Sequence, residues 1–296
     1  MLHAATHLRP LAASIPATAP FADDLAIACE AALRGGAAVR RHYRRGDLTI
    51  EESTRGPVTN ADRDSQAAIS EFLRDLRPSD AILSEEAPRD HSDPDGGRLW
   101  VVDPLDGTRE FIDGIGEFSV MVGLAVNGSA VLGAVYRPDP GILYAGVSDR
   151  CAWRFRDEDD APALLNVRLA EGSRNVSPAG LRLTRSRSHP DQRLQRLEST
   201  LAPTSVILSG SVGVKCALIA DGEADLYVHP VPYLKEWDTC APEAVLRGAG
   251  GRVTDCHGSD LTYGKSDPAQ TNGIFAASPE AWRRNATSII ALFAGS

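Results

Sequence analysis

The chain has 296 residues, of which 43% are hydrophobic and 24% charged, and its formal net charge is −9 at pH 7. A chain of this length can bury one large core or two fused cores. The acidic balance argues against a partner that is a nucleic-acid polymer, because such binding needs a basic surface. No run of about 18 apolar residues is present to predict a membrane-spanning helix, so we expect no membrane partner.

The five cysteines are an odd number, lie far apart and form no C-x-x-C pair. We therefore expect neither a disulfide framework nor a zinc site, and we predict a cytoplasmic protein. Residues 1–22 lack the continuous apolar segment of a signal peptide and are predicted to be a loose N-terminal extension. A weak transit-like segment stays open, because the first 20 residues contain no acidic side chain.

The first half of the chain is predicted to fold as helices on an antiparallel sheet. Apolar residues at helical spacing predict one helix over 23–43 and a second that follows Asp62 and ends before Pro78. Asn127-Gly128 between two apolar runs predicts a hairpin turn. Period-two patterns predict strands at 81–84, 99–102, 119–126, 130–136, 142–147 and 152–155.

The second half alternates between predicted strands and helices, as in a layered α/β unit. The polar stretch 157–178 is the predicted seam, so we divide the chain into an α+β half, 23–160, and an α/β half, 161–296. The strands are predicted at 181–184, 205–208, 224–228 and 252–254, and the helices at 191–201, 212–220 and 239–248.

Two carboxylates, Asp103 and Asp106, lie three residues apart where a buried strand is predicted to end. Pro104 is not expected to continue the strand ladder, and Asp106-Gly107 predicts a turn. Two magnesium ions about 4 Å apart need a bridging carboxylate, which these side chains can supply with the carbonyl of Leu105 between them. A polar turn without function is the open alternative, whereas the ligand spacing of a calcium loop is absent.

Three further acidic positions have both a structural and a functional interpretation. Glu85 follows the strand predicted at 81–84, where it is either a solvated strand end or a metal ligand. Asp62 and Asp238 each stand at the start of a predicted helix, where aspartate commonly caps the chain. Each position alone favours the structural interpretation, and their combination with Asp103 and Asp106 favours a metal centre.

Four sequence blocks occur, in order, that resemble motifs of the inositol-monophosphatase superfamily, and the segment 249–255 resembles it as well. The resemblance implies a five-layered αβαβα sandwich of the inositol-monophosphatase/fructose-1,6-bisphosphatase type, in which an α+β half joins an α/β half. The blocks are Val58-Thr59-Asn60-Ala61-Asp62, Ser84-Glu85-Glu86, Asp103-Pro104-Leu105-Asp106-Gly107-Thr108 and Trp237-Asp238.

The resemblance also implies a magnesium-dependent phosphatase with two or three Mg²⁺ ions and sensitivity to lithium. Thr108 and Asp62 would orient and deprotonate the attacking water, with Glu85 as a further catalytic residue. The metal ligands would be Glu85, Asp103 and the Leu105 carbonyl for the first ion, Asp103, Asp106 and Asp238 for the second, and Asp62 with Glu85 for a looser third. The substrate would contact Leu105, Asp106, Gly107, Thr108, His189, Lys215 and Asp238.

Three features resemble the 3′(2′),5′-bisphosphate nucleotidase branch of the superfamily. Arg109-Glu110-Phe111 is similar to the K/R-E-F of that branch, and the stretch ending in His189 also resembles it. Lys215 would offer a cation to the second phosphate of the substrate. Structural alternatives are a helix-start charge for Glu110, an exposed loop residue for His189 and a surface lysine for Lys215.

The expected reaction is the hydrolysis of 3′-phosphoadenosine 5′-phosphate to AMP and phosphate. The alternatives are a phosphatase for inositol monophosphate, another sugar or polyol phosphate or histidinol phosphate, and a non-catalytic protein that binds metal and nucleotide. The expected partner is thus a small-molecule phosphate monoester, and a homodimer is possible by the same resemblance.

Overall fold

A computed structural model of the chain describes residues 21–46, 48–53, 56–87, 97–156, 159, 161–167, 180–187 and 192–293. In that part the helices are α1 (Ala22–His42), α2 (Asn60–Leu76), α3 (Thr108–Ile112), α4 (Gln192–Leu201), α5 (Val212–Ala220), α6 (Glu236–Gly248) and α7 (Pro279–Phe293). The first strands are β1 (Ile50–Ser53), β2 (Gly56–Thr59), β3 (Ala81–Ser84), β4 (Arg98–Asp106), β5 (Ser119–Val126), β6 (Ser129–Arg137) and β7 (Ile142–Val147). The remaining strands are β8 (Cys151–Arg156), β9 (Ala163–Leu165), β10 (Arg182–Ser186), β11 (Ser205–Ser209), β12 (Leu226–His229), β13 (Arg252–Thr254) and β14 (Ile274–Ala277).

These elements form five layers, and the predicted sandwich is confirmed. A seven-stranded sheet has the order β3-β4-β5-β6-β7-β8-β9, and a five-stranded sheet has the order β11-β10-β12-β14-β13. Helices α1 and α2 cover the outer face of the first sheet, α5 and α6 lie between the sheets, and α4 and α7 cover the second sheet. One apolar cluster lies at each of the three helical layers, and the central cluster contacts both sheets.

Strand β4 shows how the sequence produces this layering. Successive side chains of a strand point to opposite faces of the sheet. Leu99 and Val101 therefore join the apolar cluster around α5 and α6, whereas Trp100 and Val102 join the cluster under α1 and α2. A strand buried on both faces needs such an unbroken apolar run, and its carboxyl end carries the aspartates to the centre of the molecule.

The predicted hairpin at Asn127-Gly128 is confirmed. Val126 pairs with Ser129 across the turn, and both turn residues have positive φ, 49° for Asn127 and 81° for Gly128. Positive φ at both central positions is the requirement of the turn that best fits the twist of a two-residue hairpin, and Asn-Gly meets it.

The first sheet differs from its prediction in two respects. It is mixed and not purely antiparallel, because β3 and β4 run parallel. Strand β4 does not end at Asp103 but continues to Asp106 through an irregularity in which Pro104 and Leu105 lie opposite Val120 alone. Proline is tolerated there because a bulge interrupts the ladder of hydrogen bonds.

Strand β9 pairs with β8 and so extends the first sheet beyond the division placed at residue 160. Helix α6 begins three residues earlier than predicted, at Glu236. The pattern-based prediction also missed β1, β2, β9, β14 and α7. The short strands among these offer only three or four residues from which a period could be detected.

Candidate active site

Three carboxylates meet between the two halves of the chain. Asp103 and Asp106 flank the irregularity in β4, and Asp238 stands in the first turn of α6. One oxygen from each side chain lies within 4.8 Å of the other two. A bulge can turn a side chain out of the strict alternation of a strand, and here it allows two aspartates three residues apart to face one point.

Asp106 is held by the start of helix α5. Its Oδ2 accepts hydrogen bonds from the Ser211 hydroxyl at 2.6 Å and from the Gly213 amide at 2.9 Å. The Ser211 oxygen also accepts from the Val214 amide at 3.0 Å, as the N-cap of α5, and lies 2.9 Å from the Ser119 hydroxyl. Sequence reasoning missed these residues, although a serine before an apolar helix is a recognisable N-cap signal.

The other two carboxylates are held by backbone amides. The Leu105 amide donates to Asp103 Oδ1 at 3.0 Å, and the Lys235 amide donates to Asp238 Oδ2 at 2.6 Å. Asp238 occupies the third position of α6 and accepts from the amide of the N-cap residue Lys235, which is one half of a capping box because a lysine side chain has no acceptor. All three carboxylates are thereby oriented by groups of the chain.

Burial and nearby negative charge raise the pKa of each carboxyl group in this cluster. Burial is the first cause in every case, and it brings the pKa of Asp238 to about 7. The pKa of Asp103 is raised further by the charges of Glu85, Asp106 and Asp238, while the charge of Lys215 opposes the rise at Asp106. Two of these carboxylates are buried and Asp238 is half-buried, and an oxygen-rich group of this kind suits a hard divalent cation.

Glu85 lies beside this cluster. Its amide donates to the carbonyl of Val102 at 3.3 Å, which continues the pairing of β3 with β4, and its side chain is half-buried at the cleft. Its charge contributes to the raised pKa of Asp103. Glu85 therefore lies within electrostatic range of Asp103, outside the group of three carboxylates whose oxygens meet within 4.8 Å.

Asp62 and Thr108 form a second polar unit of the site. Thr59, the N-cap of α2, donates to Asp62 Oδ2 through its amide at 2.8 Å and through its hydroxyl at 2.6 Å. Asp62 Oδ1 lies 3.2 Å from the Thr108 hydroxyl, which also lies 3.0 Å from the Leu105 carbonyl. Asp62 is thus the third helical residue of a capping box, and its second oxygen contacts the Thr108 hydroxyl.

A cleft of about 640 Å³ is lined by Glu85, Asp103, Asp106, Thr108 and Asp238. Gly107, at the turn between β4 and α3, has φ 93°, and a Cβ there would lie 2.8 Å from the carbonyl oxygen of Glu117. The cleft also receives two cationic side chains, Arg109 and Lys235. Neither has a hydrogen bond or an ion pair from its charged group to another described residue, and sequence reasoning did not single out Lys235.

Residues 22–295 match the model of the inositol monophosphatase family. The chain belongs to this family. It is 35% identical over 245 residues to CysQ of Escherichia coli K12, a 3′(2′),5′-bisphosphate nucleotidase, with 79% of this chain and 92% of the relative covered. The predicted family and the prediction of a phosphatase are confirmed.

Solved structures of the family have the same fold. The crystal structure of CysQ from Bacteroides thetaiotaomicron is 32% identical, with a TM-score of 0.69 and coverage of 86% of this chain and 97% of that one. An inositol monophosphatase from Anabaena is 26% identical, with a TM-score of 0.67 and coverage of 92% and 96%. Among the described residues, no helix combines the length and apolar composition needed to cross a bilayer.

Lys215 does not occupy the position in the cleft that the sequence suggested. Its side chain is fully buried, and its ammonium donates to the carbonyls of Ser209 at 3.0 Å and Gly210 at 2.8 Å. It also lies 5.0 Å from the ring centre of Tyr227, and burial lowers its pKa to about 8. The predicted substrate contact of Lys215 and the alternative of a surface lysine are both corrected. The ammonium of Lys215 is directed into the protein and bonds to backbone carbonyls.

The other substrate residue suggested by the second half, His189, lies outside the described residues. Of the remaining predicted substrate contacts, Leu105, Asp106, Gly107, Thr108 and Asp238 all line the cleft. Two side chains from β12, Tyr227 and His229, line it as well. The cleft is thus lined by residues from both halves of the chain.

Proposed function

We propose that this protein is a magnesium-dependent phosphomonoesterase that hydrolyses 3′-phosphoadenosine 5′-phosphate to AMP and phosphate. The carrying observation is the meeting of Asp103, Asp106 and Asp238 in one cleft, next to the Thr108–Asp62 pair. The choice of a nucleoside bisphosphate rests on relatives at 31–35% identity that are named bisphosphate nucleotidases.

The chain's own donors suit two or three magnesium ions. Magnesium would neutralise the phosphate oxygens and lower the pKa of a bound water molecule. The residues that would hold it are Glu85, Asp103, Asp106, Asp238, the Leu105 carbonyl and, for a looser ion, Asp62. The observation that fits this role is the excess of buried negative charge, which raises the pKa of Asp103, Asp106 and Asp238.

Thr108 and Asp62 would move the proton of the attacking water. The Thr108 hydroxyl can donate to Asp62 Oδ1 while its oxygen accepts a hydrogen bond from water, so a proton can pass to the carboxylate. Thr59 keeps the other oxygen of Asp62 engaged, which fixes the orientation of the base. Burial raises the pKa of Asp62, which makes this carboxylate a stronger base than an exposed aspartate.

The second phosphate of the substrate needs a cationic side chain whose charged group is not already bonded within the protein. Because the Lys215 ammonium faces inward, we assign this role to Arg109, whose exposed guanidinium reaches the cleft from α3, with Lys235 as a second contributor. A guanidinium can bind a phosphate through two parallel hydrogen bonds. An inositol monophosphate has no second phosphate to use this charge.

The second candidate is hydrolysis of inositol monophosphate or a related sugar, polyol or histidinol phosphate, which the likeness to the Anabaena inositol monophosphatase favours. A non-catalytic protein that binds metal and nucleotide is the third. It is opposed by the presence of both members of the water-activating pair, Asp62 and Thr108. A cytoplasmic location and a homodimer stay predictions from the sequence.

The test is phosphate release from a substrate panel. Purified protein would be assayed with 3′-phosphoadenosine 5′-phosphate, inositol 1-phosphate, histidinol phosphate and fructose 1,6-bisphosphate, each with magnesium, with EDTA and with added lithium. We expect the highest kcat/KM with the adenosine bisphosphate, abolished by EDTA and lowered by lithium. A preference for inositol or histidinol phosphate would overturn the substrate, and no metal-dependent release would overturn the enzyme.

A further inference from the structure

The side chain of Tyr233 is an unusual feature of the cleft. It is 70% exposed, the largest exposure among the large hydrophobic side chains of the described residues. It nevertheless lines the same cleft as Asp103, Asp106 and Asp238. Its ring has no aromatic, cationic or hydrogen-bonding partner among the described residues. A large aromatic surface is therefore kept open to solvent inside a binding cleft.

The backbone that carries Tyr233 is fixed on both sides. Upstream, the loop begins directly after β12, and Val231 is buried. Downstream, Leu234 is buried and its carbonyl accepts from the Gln270 amide at 2.8 Å, while Glu236 donates to the carbonyl of Pro268 at 2.9 Å. The loop thus presents the ring on a short tether, which lowers the entropy lost when a ligand stacks on it.

The other aromatic side chains of the cleft cannot offer such a surface. Tyr227 is fully buried and lies against His229 and Lys215. Trp237 is 5% exposed and belongs to the central apolar cluster. Among the described aromatic residues of the cleft, Tyr233 is thus the one whose ring has a face available to a ligand.

We propose that Tyr233 is a specificity-determining residue that stacks on the nucleobase of the substrate. This inference rests on the proposed function and deepens it, because it states which part of a nucleotide each region of the cleft receives. The carboxylate cluster takes the phosphate to be removed, and Tyr233 takes the base. Stacking on an aromatic ring tolerates different bases, so the ligand class is a purine or pyrimidine nucleotide.

An inositol or sugar phosphate has no flat π-face and would gain little from this ring. The stacking of one base on an aromatic side chain corresponds to roughly a 5- to 150-fold change in affinity. Tyr233 would therefore discriminate between the two leading substrate classes without touching the reacting phosphate. Its loss should raise KM for a nucleotide while kcat stays close to that of the wild type.

The experiment measures binding and turnover separately. Calorimetry with AMP and with ribose 5-phosphate, which lacks the base, would be performed on the wild type, Tyr233→Ala and Tyr233→Phe, with magnesium present. We expect the wild type and Tyr233→Phe to bind AMP more tightly than ribose 5-phosphate. Tyr233→Ala should lose 5-fold or more of its AMP affinity, with little change for ribose 5-phosphate.

Leu164→Ala is the matched control, because Leu164 is 64% exposed on β9 and does not line the cleft. An unchanged ratio of AMP to ribose 5-phosphate affinity in Tyr233→Ala would overturn the inference. So would a change in oligomeric state on size exclusion without a change in this ratio, since the ring would then contact a second copy of the chain.

Failure of the proposed function gives a different result. If the wild type does not hydrolyse 3′-phosphoadenosine 5′-phosphate but binds AMP through Tyr233, the stacking is supported and the substrate is wrong. If it hydrolyses this substrate and Tyr233→Ala has the wild-type KM, the function stands and the stacking is wrong.

Discussion

The floor of the cleft, formed by Asp103, Asp106 and Asp238, differs in construction from its rim, formed by Arg109, Tyr233 and Lys235. Each floor carboxylate already accepts a hydrogen bond from the chain, and its surroundings raise its pKa. Among the described residues, the charged and aromatic groups of the rim make no hydrogen bond, ion pair or ring contact, although the charge of Lys235 lowers the pKa of Asp238. The floor is thus oriented before any ligand binds, whereas the rim keeps its groups available.

The difference separates two tasks. Catalysis of phosphate transfer needs charges that are already oriented, because reorganisation during the reaction would cost rate. Discrimination between substrates needs groups that lose little free energy when they exchange contacts with water for contacts with a ligand. Variants of the floor should therefore change kcat, and variants of the rim should change KM for one substrate class.

The largest effect is expected for Asp106→Asn at the floor. The change keeps the size of the side chain and an acceptor for Ser211 and Gly213, but it removes a charge from the cluster. Since metal ions contribute several kcal/mol of transition-state stabilisation, we expect phosphate release to fall about a thousandfold or more. Asp260→Asn, at a carboxylate that is 67% exposed, is the control. A rate within tenfold of the wild type would refute Asp106 as a metal ligand.

Thr108→Ala should have the next largest effect. It removes the hydroxyl that lies between Asp62 and the cleft, at 3.2 Å from the carboxylate. General-base catalysis typically contributes about 10² to 10⁴ in rate, so kcat should fall by about a hundredfold or more. Thr108→Ser keeps the hydroxyl and should recover most of the rate. Equal losses in the two variants would show that the hydroxyl is not the working group.

The sequence predicted the floor better than the rim, and the reason is physical. Asp103 and Asp106 stand at the end of an apolar strand and before a turn, so their local pattern already places them at a sheet edge. Asp238 lies 132 residues after Asp106, and only the resemblance to a family brought it to the same site. The five-layered fold followed from the same resemblance and from the change of period between the halves.

The rim was predicted poorly because exposure depends on tertiary packing. Lys215 and Lys235 are both lysines near the start of a helix in the second half, yet the first is fully buried and the second lines the cleft. Their local sequences do not predict this difference in exposure. It arises because α5 packs between the two sheets and so buries Lys215. Tyr233 was missed for the same reason, since buried and exposed aromatic residues have similar local patterns.

A smaller and more selective effect is expected for Arg109→Ala at the rim. A hydrogen bond to a charged group is worth about 1.5 to 3 kcal/mol, so KM for 3′-phosphoadenosine 5′-phosphate should rise about tenfold or more. KM for inositol 1-phosphate and kcat for both substrates should change little. Steady-state kinetics on both substrates checks this selectivity.

Arg283→Ala is the matched control for Arg109, because Arg283 is 64% exposed on the outer helix α7. A parallel rise of KM for both substrates would mean that Arg109 acts on a phosphate that all substrates share. The second-phosphate assignment would then be lost, although the distinction between floor and rim would stand.

The smallest effect concerns the stability of the metal-free floor. Folding raises the pKa of Asp238 from its ordinary value of 3.8 to about 7. The folded protein therefore binds this proton more tightly than the unfolded chain does, and the contribution of Asp238 to the free energy of unfolding falls as pH rises from about 4 to 7. Asp238→Asn removes the charge but keeps an acceptor for the Lys235 amide. In EDTA, the variant should melt at a higher temperature than the wild type at pH 8, and the difference should shrink at pH 5.

Magnesium should reverse this order, because a cation that binds only the folded wild type stabilises it by mass action. At pH 8 the melting temperature of the wild type should rise with magnesium more than that of Asp238→Asn. A variant that is less stable than the wild type in EDTA at pH 8 would show that the repulsion at the floor is already relieved by the chain itself. The carboxylates of the floor would then not need a cation to offset their repulsion. The floor would differ from the rim only in being more rigid.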